Sequence, residues 1–220
     1  PGAGTVELQS TNTLPSSVFT SFNNLTINGG TTSLGVDVSI AGTLSVASGV
    51  FAIGAFDVSS VGAVNMTGTS ITGTGTLTLA GDVTTNASAT ASTIAVPIAL
   101  GGSTRTFNVD DTAAIPDLNV TGAISGGGGI IKTGIGSMNL ANAGNSYTGS
   151  TTANQGILRI AAFGGTIPNG SALIVNSTLD LNGYSETVGS LAGIGTVTSN
   201  AGATMTLTAG GDNTSTTFSG

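Results

Sequence analysis

Apolar residues recur in short alternating groups along this chain. Successive residues of a strand point to opposite faces, so the pattern predicts short strands with one buried face. Gly, Asn, Asp and Ser separate the groups and favour turns, and helical periodicity is missing. The predicted inward residues are Leu25, Ile27, Val36, Val38, Ile40, Leu44, Val46, Phe51, Ile53, Phe56, Val58, Val64, Met66, Leu77, Leu79, Ile94, Val96, Phe107, Val109, Leu118, Val120, Met138, Leu140, Leu158, Ile160, Leu173, Val175, Leu179, Leu181, Met205 and Leu207.

The spacing of these groups predicts a β-solenoid. The strands are too short and too close together for a sandwich, whose turn signals come about every 8–12 residues. Three such strands would form one coil of about 20 residues, with each strand paired to its counterpart one coil away. The 220 residues would then form one continuous rod of roughly ten coils, about 50 Å long.

Composition narrows the classes of function. Charged residues are 6% of the chain, the net charge is −7, and His, Cys and Trp are absent. Disulfides and thiolate metal sites are therefore excluded, and the commonest general base is missing. The acidic balance argues against nucleic acid and anionic membranes as partners. No apolar run approaches the roughly 18 residues of a membrane-spanning helix.

Several spaced motifs in residues 101–220 occur in a recognisable order. They are a Gly-rich start at Gly126, Lys132-Thr133-Gly134 before a G-x-M-x-L strand, N-x-Y-T-G from Asn145 to Gly149, Gly156-Ile157-Leu158, and Leu179-Asp180-Leu181-Asn182-Gly183. This order resembles the passenger-associated β-strand repeat of autotransporter-type bacterial surface proteins. Residues 1–100 share only the rhythm and the composition, and we interpret them as divergent coils of the same solenoid.

The resemblance implies a right-handed parallel β-helix displayed outside a bacterial cell. We therefore expect a structural or adhesive surface protein, a stiff stalk or a self-associating filament, rather than an enzyme. Because the chain starts at Pro1 and Phe218-Ser219-Gly220 looks like the start of a further repeat, we expect an excerpt of a longer array. If it is a complete unit, the unpaired strand edges at its ends predict homopolymerisation. The alternative is a solenoid that binds glycans or ice.

Two segments suggest catalytic or nucleotide chemistry. Gly126 to Thr133, GGGGIIKT, resembles a phosphate-binding loop, but Ile131 precedes the Lys and a strand-like segment follows, so a corner between coils is the better interpretation. Asp110 and Asp111 could serve a glycan-cleaving β-helix. Adjacent strand residues face opposite sides, which favours a solvated turn before Thr112.

Three further features suggest binding. Gly211-Asp212-Asn213 resembles an acidic calcium turn, although the calcium nonapeptide repeat does not recur. The segment from Thr67 to Thr78 contains T-x-T units like those of ice-binding solenoids. The chain has two tyrosines, Tyr147 and Tyr184, of which we expect Tyr147 to pack over a turn. We assign no catalytic, cofactor-binding or metal-binding residue.

Overall fold

The computed structural model describes residues 4–16, 18–199 and 204–220. Within these ranges the regular structure is entirely β, and no helix is long and apolar enough to cross a membrane. The strands are β1 Thr5–Leu8, β2 Asn12–Leu14, β3 Ser21–Phe22, β4 Asn24–Leu34, β5 Val38–Ile40, β6 Thr43–Gly54, β7 Val58–Val61, β8 Ala63–Met66, β9 Ser70–Gly73, β10 Leu77–Leu79, β11 Val83–Thr85, β12 Ser92–Ile94, β13 Ile98–Ala99, β14 Arg105–Val109, β15 Leu118–Val120, β16 Ile124–Ser125, β17 Ile130–Thr133, β18 Ser137–Leu140, β19 Thr151–Ala153, β20 Ile157–Ile160, β21 Ala172–Val175, β22 Thr178–Asp180, β23 Glu186–Val188, β24 Ser190–Gly193, β25 Thr196–Thr198 and β26 Leu207–Ala209.

The strands form three parallel ladders, and each turn of the chain contributes one segment to each face. The first face contains β1, β4, β6, β8, β11, β14, β17, β19, β21 and β24. The second contains β2, β4, β6, β9, β12, β15, β18, β20, β22 and β25. The third contains β3, β5, β7, β10, β13 and β16, followed later by the pair β23 and β26. The long strands β4 and β6 bend and serve both the first and the second face.

The register gives the coil length directly. Leu25 pairs with Leu44, Leu44 with Val64, and Val64 with Val83, so one coil takes 19 or 20 residues. The coil lengthens where Val83 pairs with Phe107, because loops are inserted at the corners. The predicted β-solenoid of about ten coils and roughly 20 residues per coil is confirmed. Its right-handed sense stays a prediction, which the strong preference of parallel crossovers favours.

The core is a column of apolar side chains inside the coils. Leu44, Val64, Val83 and Phe107 stack in consecutive coils and are fully buried, as their alternation predicts. The exceptions among the predicted inward residues are half-buried and pack against this core: Val36, Phe56, Met205 and Leu207. Val36 lies in a bend before β5 and Phe56 in a corner, where the side chain leaves the strand geometry. Met205 and Leu207 belong to the coil of β26, whose sheet has two strands.

Glycine is required where coils approach each other closely. Gly81 lies at the corner between the third and first faces, and a Cβ built there would be 1.6 Å from the carbonyl oxygen of Gly62 in the preceding coil. Coils are only about 4.8 Å apart, so a side chain at this position has no room. The corner therefore specifies glycine sterically, through the backbone of its neighbour.

Candidate functional site

A buried lysine closes the corner between the first and second faces. Lys132 occupies an inward position of β17, between Phe107 and Ala153 of the neighbouring coils, and is 1% exposed. Its Nζ donates to the carbonyl oxygens of Thr133 (2.8 Å), Gly134 (2.8 Å) and Gln155 (3.1 Å). The ammonium group thus links two successive corners of the rod. Burial lowers the pKa of Lys132 to about 8, and the charge of Asp117 opposes part of this shift.

Asp117 is the second buried charge at this corner. Its carboxylate accepts hydrogen bonds from the backbone N and hydroxyl of Thr112 (2.8 and 2.5 Å) and of Ser137 (2.6 and 2.9 Å). Burial raises the pKa of Asp117, but these four hydrogen bonds to the charged form outweigh it and leave the pKa below its usual value. The carboxylate fixes the 110–117 loop to the next coil.

The segments proposed for chemistry in the sequence are structural, with Gly126 at the corner between the third and first faces, and Asp110 and Asp111 at the corner between the first and second. Gly126 begins a corner and β17 follows it as a strand, which contradicts a phosphate-binding loop and confirms the corner interpretation. Lys132 points into the rod and donates to carbonyl groups. Asp110 and Asp111 are exposed in the loop before Thr112, as expected of a solvated turn.

Side chains continue the third face where its strands stop. Beyond β16, Asn145 accepts a hydrogen bond from the backbone N of Ile124 (2.7 Å) and donates to the carbonyl oxygen of Thr166 (2.7 Å). One coil further, the backbone N and hydroxyl of Thr166 donate to Oε2 of Glu186, both at 3.0 Å. Asn145 and Glu186 therefore replace missing strand hydrogen bonds, which explains a buried polar residue in the N-x-Y-T-G motif.

Tyr147 of the same motif belongs to the core. Its hydroxyl shares a 2.6 Å hydrogen bond with Thr151, Thr151 lies 3.2 Å from the Ser171 hydroxyl, and Ser171 donates to the carbonyl oxygen of Gly149 (2.8 Å). Burial raises the pKa of Tyr147. The ring packs more deeply than a position over a turn would, because the Thr151 hydroxyl is a buried partner for the phenol and is itself bonded to the Ser171 hydroxyl of the next coil.

Glu186 also forms the floor of a pocket on the third face. The pocket has a volume of about 220 Å³ and lies between segments of three successive coils, including β23 and β26. Its lining residues are Gly164, Gly165, Asn169, Ser185, Glu186, Thr187, Thr206 and Thr208. Glu186 is 2% exposed, whereas Ser185 and Asn169 are exposed at the rim. Burial raises the pKa of Glu186, and its hydrogen bonds with Thr166 and neighbouring amides reduce that shift.

An aromatic pair stands beside this pocket. Phe163 precedes the lining residues Gly164 and Gly165, and Tyr184 precedes Ser185. Their rings meet edge to face, with centroids 4.6 Å apart and an interplanar angle of 87°. Phe163 is nevertheless 80% exposed, so most of its surface is available to solvent. An exposed apolar surface is therefore next in the chain to a pocket lined by hydroxyl, amide and carboxyl groups.

The remaining sequence candidates are not among the residues that line this pocket. Asp212 accepts hydrogen bonds from the backbone N (2.9 Å) and hydroxyl (2.7 Å) of Thr214, as in a capped turn. In the described ranges, no three His, Cys, Asp or Glu side chains are grouped to hold a metal ion. The threonines from Thr67 to Thr78 do not share one flat face, because Thr69 is buried and Thr72 and Thr78 lie on different ladders.

The sequence analysis did not identify Asp117, Glu186 or the exposed ring of Phe163 as candidate functional residues. Glu186 had a usable signal, since it alternates with buried Val188 and must share its inward face. Phe163 and Asp117 lie in irregular loops, where no periodicity indicates which residues face each other.

These features define a parallel β-solenoid, as the resemblance to autotransporter-type β-helices predicts. Buried polar side chains such as Lys132 and Asp117 lie at its corners. A curated relative, "Adhesin BmaC autotransporter" of Brucella suis biovar 1 (strain 1330), is 36% identical over 118 residues. The match covers 51% of this chain and 3% of the relative. The likeness to an autotransporter protein is therefore confirmed over half the chain. No protein-family model and no solved structure matches the chain.

Proposed function

We propose that this chain is an adhesive module of an extracellular bacterial surface protein, a stiff solenoid that presents a binding surface away from the cell. The observation that carries the proposal is the 36% identity to a protein named as an autotransporter adhesin, in a chain that folds as a solenoid. The fold class alone would not specify adhesion, since solenoids serve many functions.

The architecture suits a stalk. Each coil contacts mainly its neighbours, so the first two faces provide backbone hydrogen bonds and stacked aliphatic side chains from one coil to the next. This repetition supplies stiffness without disulfides. It also leaves the outward side chains and corner loops free to vary for binding.

The carboxyl groups favour binding over glycan cleavage. Glycoside hydrolysis uses two carboxyl groups across the scissile bond. The pocket on the third face has Glu186 as the one carboxyl group among its lining residues, and Asp110 and Asp111 lie at a different corner. We therefore propose a non-enzymatic role.

Retention of coated particles under flow tests the adhesive role. Beads that carry the 220-residue chain are passed over epithelial cells, extracellular matrix and immobilised glycans, and the fraction retained is measured. The matched control combines Gly75→Ala, Gly81→Ala and Gly122→Ala, because each added Cβ would lie less than 2 Å from a carbonyl oxygen of the neighbouring coil and the three clashes together prevent the solenoid from packing. We expect retention of the wild-type beads alone on at least one surface. Equal retention of both bead types on every surface would contradict adhesion by the folded module.

We also propose lateral association between copies of the chain. Ile135 and Ile194 are 74% and 75% exposed at the corner between the first and second faces, and Ile115 is exposed in the longer loop of the same corner. Few free cations oppose this contact, because Lys132 is buried and Arg159 is paired with Asp180 at 2.9 Å. An apolar edge on one rod can pack against the same edge of another.

Sedimentation velocity over a range of concentrations tests this association. We expect the wild-type chain to form larger species as concentration rises, and the double variant Ile135→Ser with Ile194→Ser to remain monomeric. Phe163→Ser, an equally exposed apolar residue on the third face, is the control and should associate as the wild type does. A wild-type chain that is monomeric at every concentration would refute the proposal.

A further inference from the structure

The pocket on the third face combines the groups that recognise a sugar ring. A pyranose has an apolar face of C–H groups and an equatorial rim of hydroxyl groups, so its site needs an exposed aromatic surface beside polar acceptors and donors. Phe163 offers the aromatic surface at 80% exposure. Ser185, Asn169 and Thr208 offer exposed polar groups at the rim.

The two carboxyl oxygens of Glu186 differ in how strongly they are held by hydrogen bonds. Its Oε2 takes both hydrogen bonds from Thr166, at 3.0 Å each. Its Oε1 lies 3.4 Å from the backbone N of Thr187 and beside the lining residue Gly165, and the backbone amide of Ile167 also stabilises the charged carboxylate. A buried carboxyl oxygen with lone pairs to spare is a strong acceptor for a hydroxyl group.

The size and charge of the pocket limit the ligand. A volume of about 220 Å³ is below the roughly 300–1,000 Å³ of pockets for drug-sized molecules, so it fits one sugar residue rather than an oligosaccharide. No Lys or Arg lines it, and the chain carries a net charge of −7. Sialic and uronic acids would meet Glu186 without a compensating cation, which disfavours them.

We propose that this pocket binds one neutral pyranose residue of a surface glycan, with its C–H face on Phe163 and a hydroxyl group donating to Oε1 of Glu186. Loop and strand residues of three successive coils form the site, so it depends on the solenoid for its geometry. The biological meaning of this site rests on the proposed adhesive function, whereas the binding itself does not.

Two variants isolate the two halves of the site. Phe163→Ala removes a largely exposed ring, so stability should change little beyond the loss of its edge-to-face contact with Tyr184. Glu186→Gln keeps a carbonyl oxygen for Thr166 and turns an NH₂ group towards the pocket, which replaces the acceptor with a donor. Ile135→Ala, at 74% exposure on another corner, is the matched control for Phe163.

The experiment is a microarray of neutral and acidic glycans, followed by saturation-transfer NMR with the neutral monosaccharides that are retained. We expect the wild type and Ile135→Ala to bind neutral glycans, and both pocket variants to lose affinity by about tenfold. No neutral glycan bound, selective binding of acidic glycans, or unchanged affinity in both pocket variants would overturn the proposal.

The bead assay separates this proposal from the adhesive function. Beads that adhere although the chain binds no neutral sugar would refute the pocket and leave the adhesive function standing. Sugar binding that both variants abolish, combined with no retention of wild-type beads on any surface, would support the pocket and refute the adhesive role.

Discussion

The buried ammonium of Lys132 should give this protein an unusual dependence of stability on pH. We consider the substitution Lys132→Met, which keeps an unbranched side chain of similar length in the column between Phe107 and Ala153 and removes the titrating group. Three carbonyl oxygens lose a donor, but Gln155 is exposed and Thr133 and Gly134 are half-buried, so water can reach them.

The pKa of Lys132 gives the direction and the size of the change in folding stability with pH. Burial lowers the pKa of Lys132 from 10.5 to about 8 in the folded chain. Between these two values the unfolded chain holds the proton and the folded chain does not, so wild-type stability must rise with pH. Each pKa unit corresponds to 1.36 kcal/mol, so the whole contribution is about 3 kcal/mol. Lys132→Met should lack this rise.

Ionisation of Tyr147 limits the pH range in which the effect of Lys132 can be measured. Burial raises the pKa of Tyr147, so ionisation of the unfolded chain destabilises the fold above pH about 10. Tyr147 is present in both chains, and its effect cancels when the Lys132→Met curve is subtracted from the wild-type curve.

Urea unfolding followed by far-ultraviolet circular dichroism measures the effect. Midpoints are determined at intervals between pH about 7 and about 10, from both the folded and the unfolded direction, and converted to free energies of unfolding. We expect the difference between wild type and Lys132→Met to grow in favour of the wild type across this range. A constant difference, or one that shrinks as pH rises, would refute the buried titrating lysine.

Four further substitutions, of which Gly102→Ala is a control, test the packing and the buried hydrogen bonds. Gly81→Ala should destabilise the chain by about 3 kcal/mol or more in the same urea titration, because its Cβ would be 1.6 Å from a carbonyl oxygen. The control Gly102→Ala has open space around it and should change stability by less than about 0.5 kcal/mol. Phe107→Ala should cost about 3–5 kcal/mol by leaving a cavity in the core column, and a loss below about 1 kcal/mol would contradict its burial. Asp117→Asn should lower stability at neutral pH and lose that deficit as pH falls through the lowered pKa of Asp117, and parallel acid-unfolding curves would count against its hydrogen bonds.

The sequence predicted the repeating part of the fold because alternation is a direct consequence of strand geometry. Leu44, Val64 and Phe107 were recognised as inward residues from their alternation with polar residues. They are buried in the structure because every second residue of a strand faces the core. The coil length followed from the spacing of such groups. Lys132 alternates with Ile130 and could have been placed inward on the same argument.

The pocket on the third face was harder to predict, because the aromatic residues beside it lie in irregular segments of different coils. Phe163 and Tyr184 are 21 residues apart, and only the stacking of coils brings their rings to 4.6 Å. The irregular segments that contain them have no period from which to infer a register. The 110–117 loop shows the same difficulty, since its one buried carboxylate, Asp117, follows two exposed ones.

Distances between spin labels test the stacked coils most directly. The chain has no cysteine, so pairs of introduced cysteines can be labelled without background. Thr26, Ser45, Asn65, Thr84, Asn108 and Thr133 are paired in series along the outward side of the first face.

Double electron–electron resonance is measured from a label at residue 26 to a second label at residue 84, 108 or 133. We predict distances that grow by about 4.8 Å per coil, to about 14, 19 and 24 Å between the backbones, although the coils differ in length along the sequence. Distances that do not increase by one constant step would contradict the solenoid and every inference built on it.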